Sequence, residues 1–179
     1  MAFRFSTLFG LACIAASVQA ADLPPLQTVG EVDLGRYAGT WYEIARLPMP
    51  FQKQCAANVT ATYTPNPDNT VTVTNRCLKA DGAWSAAEGL ARPQNDSNNR
   101  LSVTFLPKAL RWLPFGHSPY WIMALDENYQ TAMIGQPDRK YLWVLSRTPQ
   151  IDEAVYQAYL KQAAEQGYDL SGLIRTKQN

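Results

Sequence analysis

The groups able to do chemistry are few, and their spacing narrows what that chemistry is. The stretch GRYAGTWYEIARLP (35–48) places Glu43 two residues after Trp41 and three before Arg46. In an extended segment residues two apart share a side, so the carboxylate and the indole point the same way. His117 is the only histidine. A zinc site with several histidine ligands is therefore excluded, and a thiolate site would have to use the cysteines. A Ser–His–Asp triad would need His117 as its base, and no serine motif accompanies it. No glycine-rich phosphate loop occurs.

The elements that must position these groups begin after a leader. Residues 1–20, MAFRFSTLFGLACIAASVQA, carry one Arg before a short apolar run that ends in Val18-Gln19-Ala20. This is the pattern of a cleaved signal peptide, and the run is too short to span a bilayer. The expected compartment is the periplasm. A lipoprotein signal ending at Cys13, with an outer-membrane anchor, is one alternative, although Gly10 stands where a leucine is usual; secretion is another. The remaining residues, 21–179, suit one domain. Without Arg4 the 16 basic side chains become 15, matching 15 acidic ones. No basic stripe with interleaved aromatics stands out, so nucleic acid is not an expected partner.

Two cysteines remain, Cys55 and Cys77. An even pair in an exported chain reads as a disulfide, the alternative being two buried thiols.

Most of the chain alternates with period two. Strands are expected in WYEIARL, NVTATYT (58–64), TVTVTN (70–75), WSAAEGLA (84–91), RLSVTFL (100–106), YWIMALD (120–126), TAMIGQ (131–136) and YLWVLSR (141–147). Turn-forming clusters such as PNPDN separate them. Eight strands with mostly short connections close best into an antiparallel up-and-down barrel, which removes exposed edges. One helix follows, with Thr148 as cap, Pro149 at its first position and Gly167 at its end. Ile151, Ala154, Val155, Ala158 and Tyr159 form its apolar face, expected to pack outside the barrel.

GTWYEIARLP near the start and PDRKYLWVLSRTP (137–149) near the end closely resemble the lipocalins, in particular the bacterial outer-membrane branch related to apolipoprotein D. The resemblance covers essentially all of 21–179. It implies an all-β barrel that holds a small hydrophobic ligand, with fatty acids or lysophospholipids as the expected class and no cofactor. An enzyme built on the same barrel and acting on a lipid is the alternative.

Strand order puts the start of the first strand and the end of the eighth at one end of the barrel. Trp41 and Arg147 meet there, and the resemblance implies that they close the floor as a structural pair. Gly39 then lets the incoming chain pass close beneath. Alternation places Glu43 and Ala45 inward, Glu43 either as an internal hydrogen-bond or ion-pair partner or to orient a polar ligand group. Matching the family's inward positions gives the expected lining. It comprises Val59, Ala61, Tyr63, Val71, Val73, Asn75, Ala87, Gly89, Ala91, Leu101, Val103, Phe105, Tyr120, Ile122, Met133, Gly135, Tyr141 and Trp143. Small residues on the fourth strand leave room there, and aromatics supply contact area opposite.

The connections 47–56, 79–83, 107–119 and 137–140 fall at the open end. Two are unusually apolar: the first carries Met49 and Phe51, the third Leu110, Trp112, Leu113 and Phe115. Such a rim is expected to act as a lid or as a peripheral membrane contact. Cys55 and Cys77 fall near the same end, so their bridge would brace the entrance.

Overall fold

The computed structural model describes residues 23–179. The expected signal peptide and Cys13 lie outside the described residues. In chain order the elements are α1 (Leu34–Tyr37), β1 (Gly39–Arg46), β2 (Cys55–Pro65), β3 (Val71–Lys79), β4 (Trp84–Pro93), β5 (Arg100–Thr104), β6 (His117–Leu125), β7 (Thr131–Gly135), β8 (Leu142–Ser146), α2 (Glu153–Glu165) and β9 (Ile174–Arg175). Strands β1 to β8 pair antiparallel with their sequence neighbours, and β1 pairs with β8 as well as with β2, which closes the ring. The eight-stranded barrel expected from the alternation is therefore present, with the helix after it.

Each strand buries one face inward and, on one flank, the other face under α2. The interior cluster holds Val32, Trp41, Tyr63, Val71, Val73, Leu101, Val103, Ile122, Ile134 and Leu145. The second cluster lies between the outside of the barrel and α2, with Ile44, Ala45, Met123, Met133, Leu142, Val144, Tyr156 and Ala163.

The seam between β1 and β2 is incomplete. Their ladder ends at Tyr42 and Thr60, and further along β1 pairs with the short β9 instead. The chain after β9 fills the gap. Gln178 Nε2 donates to the carbonyls of both Glu43 (2.8 Å) and Val59 (2.9 Å), and Asn58 N–H donates to the Lys177 carbonyl at 2.8 Å. One side-chain amide thus replaces missing ladder bonds between the two strands.

Several local expectations are corrected. Asp152, not Thr148, caps α2, accepting from Ala154 and Val155 N–H. Thr148 instead closes a tight turn by donating to the Gln150 carbonyl at 2.5 Å. The buried face of α2 is accordingly shifted to Tyr156 and Ala163, while Ala154 and Ala158 are exposed. Ala45 faces the helix side, because a bulge between Glu43 and Ala45 breaks the alternation. Met133 also belongs to the helix-side cluster, and a Cβ on Gly135 would strike Tyr168 and Met123 on that side. The inward residues of β7 are Ala132 and Ile134. Both faces of this strand are buried, so it carries no polar alternation to mark which side is which.

Candidate functional site

The barrel is sealed at one end. Arg147 lies over the Trp41 ring with its guanidinium carbon 4.0 Å from the ring centroid. It also donates to the carbonyls of Thr40 (3.0 Å), Arg36 (2.8 Å), Tyr37 (3.2 Å) and Tyr129 (3.2 Å). Gly39 has φ +94°, and a Cβ there would lie 3.3 Å from Arg147 Nη1. The glycine therefore supplies both the left-handed turn and space for the guanidinium. The segment before α1 adds a strap. Val32 is buried in the floor, and Asn99 Nδ2 holds the strap by donating to the Val29 and Gly30 carbonyls.

Above Trp41 three phenols stand in a row. Tyr120 Oη is 2.8 Å from Tyr37 Oη and 2.8 Å from Tyr63 Oη. Burial raises the pKa of Tyr37 and Tyr120 and pushes Tyr63 up to about 12. All three stay protonated at neutral pH. The cavity left beside them, also lined by Leu34, Val71, Ala91, Leu101 and Val103, measures about 10 Å³. That is about one water molecule, so the floor has no room for a ligand chain.

The upper half of the barrel is different. Register pairs Ala61 with Asn75 and Asn75 with Ala87, all on the inward face with Tyr63 and Val73. Ala61, Asn75 and Trp143 are half-buried and Ala87 is exposed, although their pairing points them inward, and Tyr141, just before β8, is half-buried beside Trp143. The interior there is open to solvent. Asn75 Oδ1 is itself buried and has no hydrogen-bond partner among the described residues. Val73, Val103 and Ile122 are fully buried lower in the wall. At Gly89 the expected space is taken. A Cβ there would lie 2.8 Å from the Thr104 carbonyl and 2.9 Å from the Phe105 ring, which covers the glycine. Of the three small residues expected to line the barrel on β4, Ala87 alone is exposed; Ala91 is packed into the floor.

Glu43 is 3 % exposed and fully engaged by the protein. Its carboxylate accepts from Thr176 Oγ1 (2.6 Å) and Gln52 Nε2 (2.9 Å), and Arg46 Nε lies 3.3 Å away. Burial raises its pKa; the two hydrogen bonds and the arginine pull the other way without offsetting it. Gln52 in turn accepts from Trp143 Nε1 at 3.3 Å. The geometry is that of an internal partner, joining the wall, the first mouth connection and the segment after β9.

The mouth end carries the apolar rim. Phe51, Phe105, Leu110, Trp112 and Phe115 are exposed, Trp112 to 77 %, whereas Met49 is packed inside and Leu113 is half-buried. The Phe51 ring meets Tyr141 edge-on at 5.4 Å, and Tyr141 leads on to Trp143 at 6.1 Å. Cys55 and Cys77 are bonded, with Cα atoms 5.4 Å apart, and tie β2 to β3 at this end.

The pattern of the sequence placed Trp41, Arg147, Ala61, Tyr63, Val73, Ala87, Val103, Tyr120, Ile122, Tyr141 and Trp143 inside or at the mouth of one barrel. It did not reveal Tyr37, Gln52, Thr176 or Gln178. The first is marked only by its spacing of four residues from Trp41, whose Nε1 donates to the Tyr37 carbonyl at 2.8 Å. The last two act from a segment with no periodicity.

A family model described as a lipocalin-like domain matches residues 32–178. The chain is 39 % identical to temperature-induced lipocalin-1 of Arabidopsis thaliana over 86 % of its own length and 83 % of that protein's. It is 38 % identical to the outer membrane lipoprotein Blc of Escherichia coli over 87 % and 85 %. Among solved structures, insecticyanin of the tobacco hornworm Manduca sexta shares the barrel, with a TM-score of 0.68 and 22 % identity over 87 % and 85 % of the two chains. An eight-stranded barrel with a Trp–Arg floor, an apolar interior and these relatives places the chain in the lipocalins, a family that binds small hydrophobic ligands.

Proposed function

We propose that this protein is an exported carrier of a single-chain lipid, a fatty acid or lysophospholipid, held in the upper half of the barrel at the cell envelope. The observation that carries this reading is the wall formed by Ala61, Asn75, Ala87 and Trp143. It faces inward yet remains open to solvent above a sealed floor. A tail would enter first and stop above the tyrosine row, lying against Trp143 and Tyr141, with its polar head left at the mouth. Apolar contact without many polar anchors gives affinity with weak discrimination by chain length. The relatives named outer membrane lipoprotein support an envelope location. Carriage is favoured over catalysis because His117 is bonded only to the Arg111 carbonyl, at 3.2 Å, in the rim. Among the described residues no serine, threonine or cysteine side chain is hydrogen-bonded to that ring, as activation of a nucleophile would require.

Ala87→Phe fills the proposed space without removing a contact, and Ala61→Phe does so from the adjoining wall. Gly89 is unsuitable because any side chain there collides with the Thr104 backbone. Each variant is expected to fold and to bind a long-chain fatty acid or lysophospholipid at least about tenfold more weakly, or about 1.4 kcal/mol. Ligand quenching of Trp143, identified by its loss in Trp143→Phe, weakens in parallel. Folded variants that both bind as tightly as the parent would sink the proposal.

A further inference from the structure

We infer that the open end of the barrel docks on an anionic lipid surface, anchored by Phe51 on one side of the mouth and by Trp112 and Phe115 on the other. The connection β1–β2 carries the first and β5–β6 the others. In a ring of eight strands these two connections stand opposite one another across the opening. A flat surface laid over the mouth meets both at once. Phe51 is 56 %, Trp112 77 % and Phe115 63 % exposed. The Trp112 indole N–H is already satisfied by the Ala109 carbonyl at 2.9 Å, so the ring can enter the headgroup layer without stranding a donor.

Charge selects the partner. The four mouth connections (47–54, 80–83, 105–116 and 136–141) hold five basic side chains, Lys53, Lys108, Arg111, Arg139 and Lys140. Two acidic ones oppose them, Asp81 and Asp138. The three turns at the closed end (66–70, 94–99 and 126–130) hold Asp68, Asp96, Asp126 and Glu127 and no Lys or Arg. The connections are thus polarised along the barrel axis, mainly basic at the mouth and acidic at the closed end, while Arg36 and Arg147 stand in the floor itself. Lys53 stands two residues from Phe51 and Lys108 four from Trp112; both are exposed and without an acidic partner among the described residues. Arg111 contacts Glu88 at 3.7 Å, and Arg139 is held by the Gln166 carbonyl at 3.2 Å. Lysines flanking aromatic anchors are what an anionic membrane attracts, and the acidic turns at the closed end are repelled by it. In this pose the mouth opens directly onto the lipid that the proposed carrier would take up.

Docking builds on the carrier reading, and the two fail separately, because displacement of a fluorescent fatty acid in vesicle-free buffer reads the pocket alone. The full chain and the variants Phe51→Ser and Trp112→Ser/Phe115→Ser are sedimented with vesicles of phosphatidylcholine, with and without about 30 % phosphatidylglycerol. The full chain is expected to bind the anionic vesicles more tightly, less so at high salt. The double variant is expected to lose at least about tenfold, with Phe51→Ser losing less. Any acyl anchor is common to all of these chains, so the difference reports the rim. Trp112 emission shifts to the blue on binding. Equal sedimentation of the full chain and the double variant, or no preference for anionic vesicles, overturns the inference. Fatty-acid displacement unchanged in Trp112→Ser/Phe115→Ser shows that the pocket itself is intact.

Discussion

The Arg147 guanidinium covers the Trp41 ring at 4.0 Å and, in the same position, holds four backbone carbonyls of α1, β1 and the β6–β7 turn. The pair is therefore a floor joint as well as a ring contact. Trp41→Ala should destabilise by about 3–5 kcal/mol, and Arg147→Ala by about 2–3 kcal/mol, since a half-exposed guanidinium keeps part of its hydration. Their combination should fall short of the sum by at least about 0.5 kcal/mol. Strict additivity in denaturant melts would mean that the two side chains do not act together.

Reducing the Cys55–Cys77 bridge, which closes a loop of sequence separation 22, should cost about 3 kcal/mol on the chain-entropy estimate. The check is a melt with and without reductant, together with non-reducing peptide mapping. Unchanged stability after full reduction would contradict it.

Tyr120→Phe removes the middle hydroxyl of the row and leaves those of Tyr37 and Tyr63 without their observed partner. Its cost should be about 2–4 kcal/mol, from one to two for each stranded hydroxyl. Tyr63→Phe leaves the Tyr37–Tyr120 bond in place and should cost less. Equal losses for the two variants would show that the row is not an energetic unit.

Glu43 gives a pH signature. Its pKa in the folded protein is raised above the ordinary 4.5, first by burial. The folded state therefore holds the proton more tightly than the unfolded chain does. The resulting stabilisation is complete below 4.5 and is lost as pH rises through the raised value. Glu43→Gln should abolish this decline, while lowering stability throughout by leaving Arg46 without its carboxylate. Melting temperatures measured between about pH 4 and 8 test it; parallel curves for parent and variant would refute it.

What the sequence made legible follows from its physics. Alternating Val, Thr and Tyr in β2 and β3 mark a wall with one wet face, and the two strands pair across the turn expected between them. β7 is buried on both faces, so Met133 and Gly135 could not be told from Ala132 and Ile134 by polarity. The bulge beside Ala45 reversed a side for the same reason that any inserted residue does: period two has no memory across it. The small residues on β4 were visible as small. Whether they leave a void depends on what packs against them: the Phe105 ring covers Gly89, and Ala91 joins the floor cluster with Tyr63. The strap before α1 and the stitch by Gln178 rest on single side chains in aperiodic segments, where no pattern exists to be read.

The stitch has a kinetic side. Gln178 joins strands lying 135 and 119 residues before it in the chain, so the seam depends on contacts of very long range. Such contacts form late and slow a folding reaction. A chain synthesised from its N-terminus delivers β1 to β8 before residues 174–178. In that interval part of β1, near Ala45 and Arg46, would present an unpaired edge, the kind of template that neighbouring chains can join. The interval between the arrival of β8 and the arrival of Gln178 is thus the period in which this barrel most needs protection from other copies of itself.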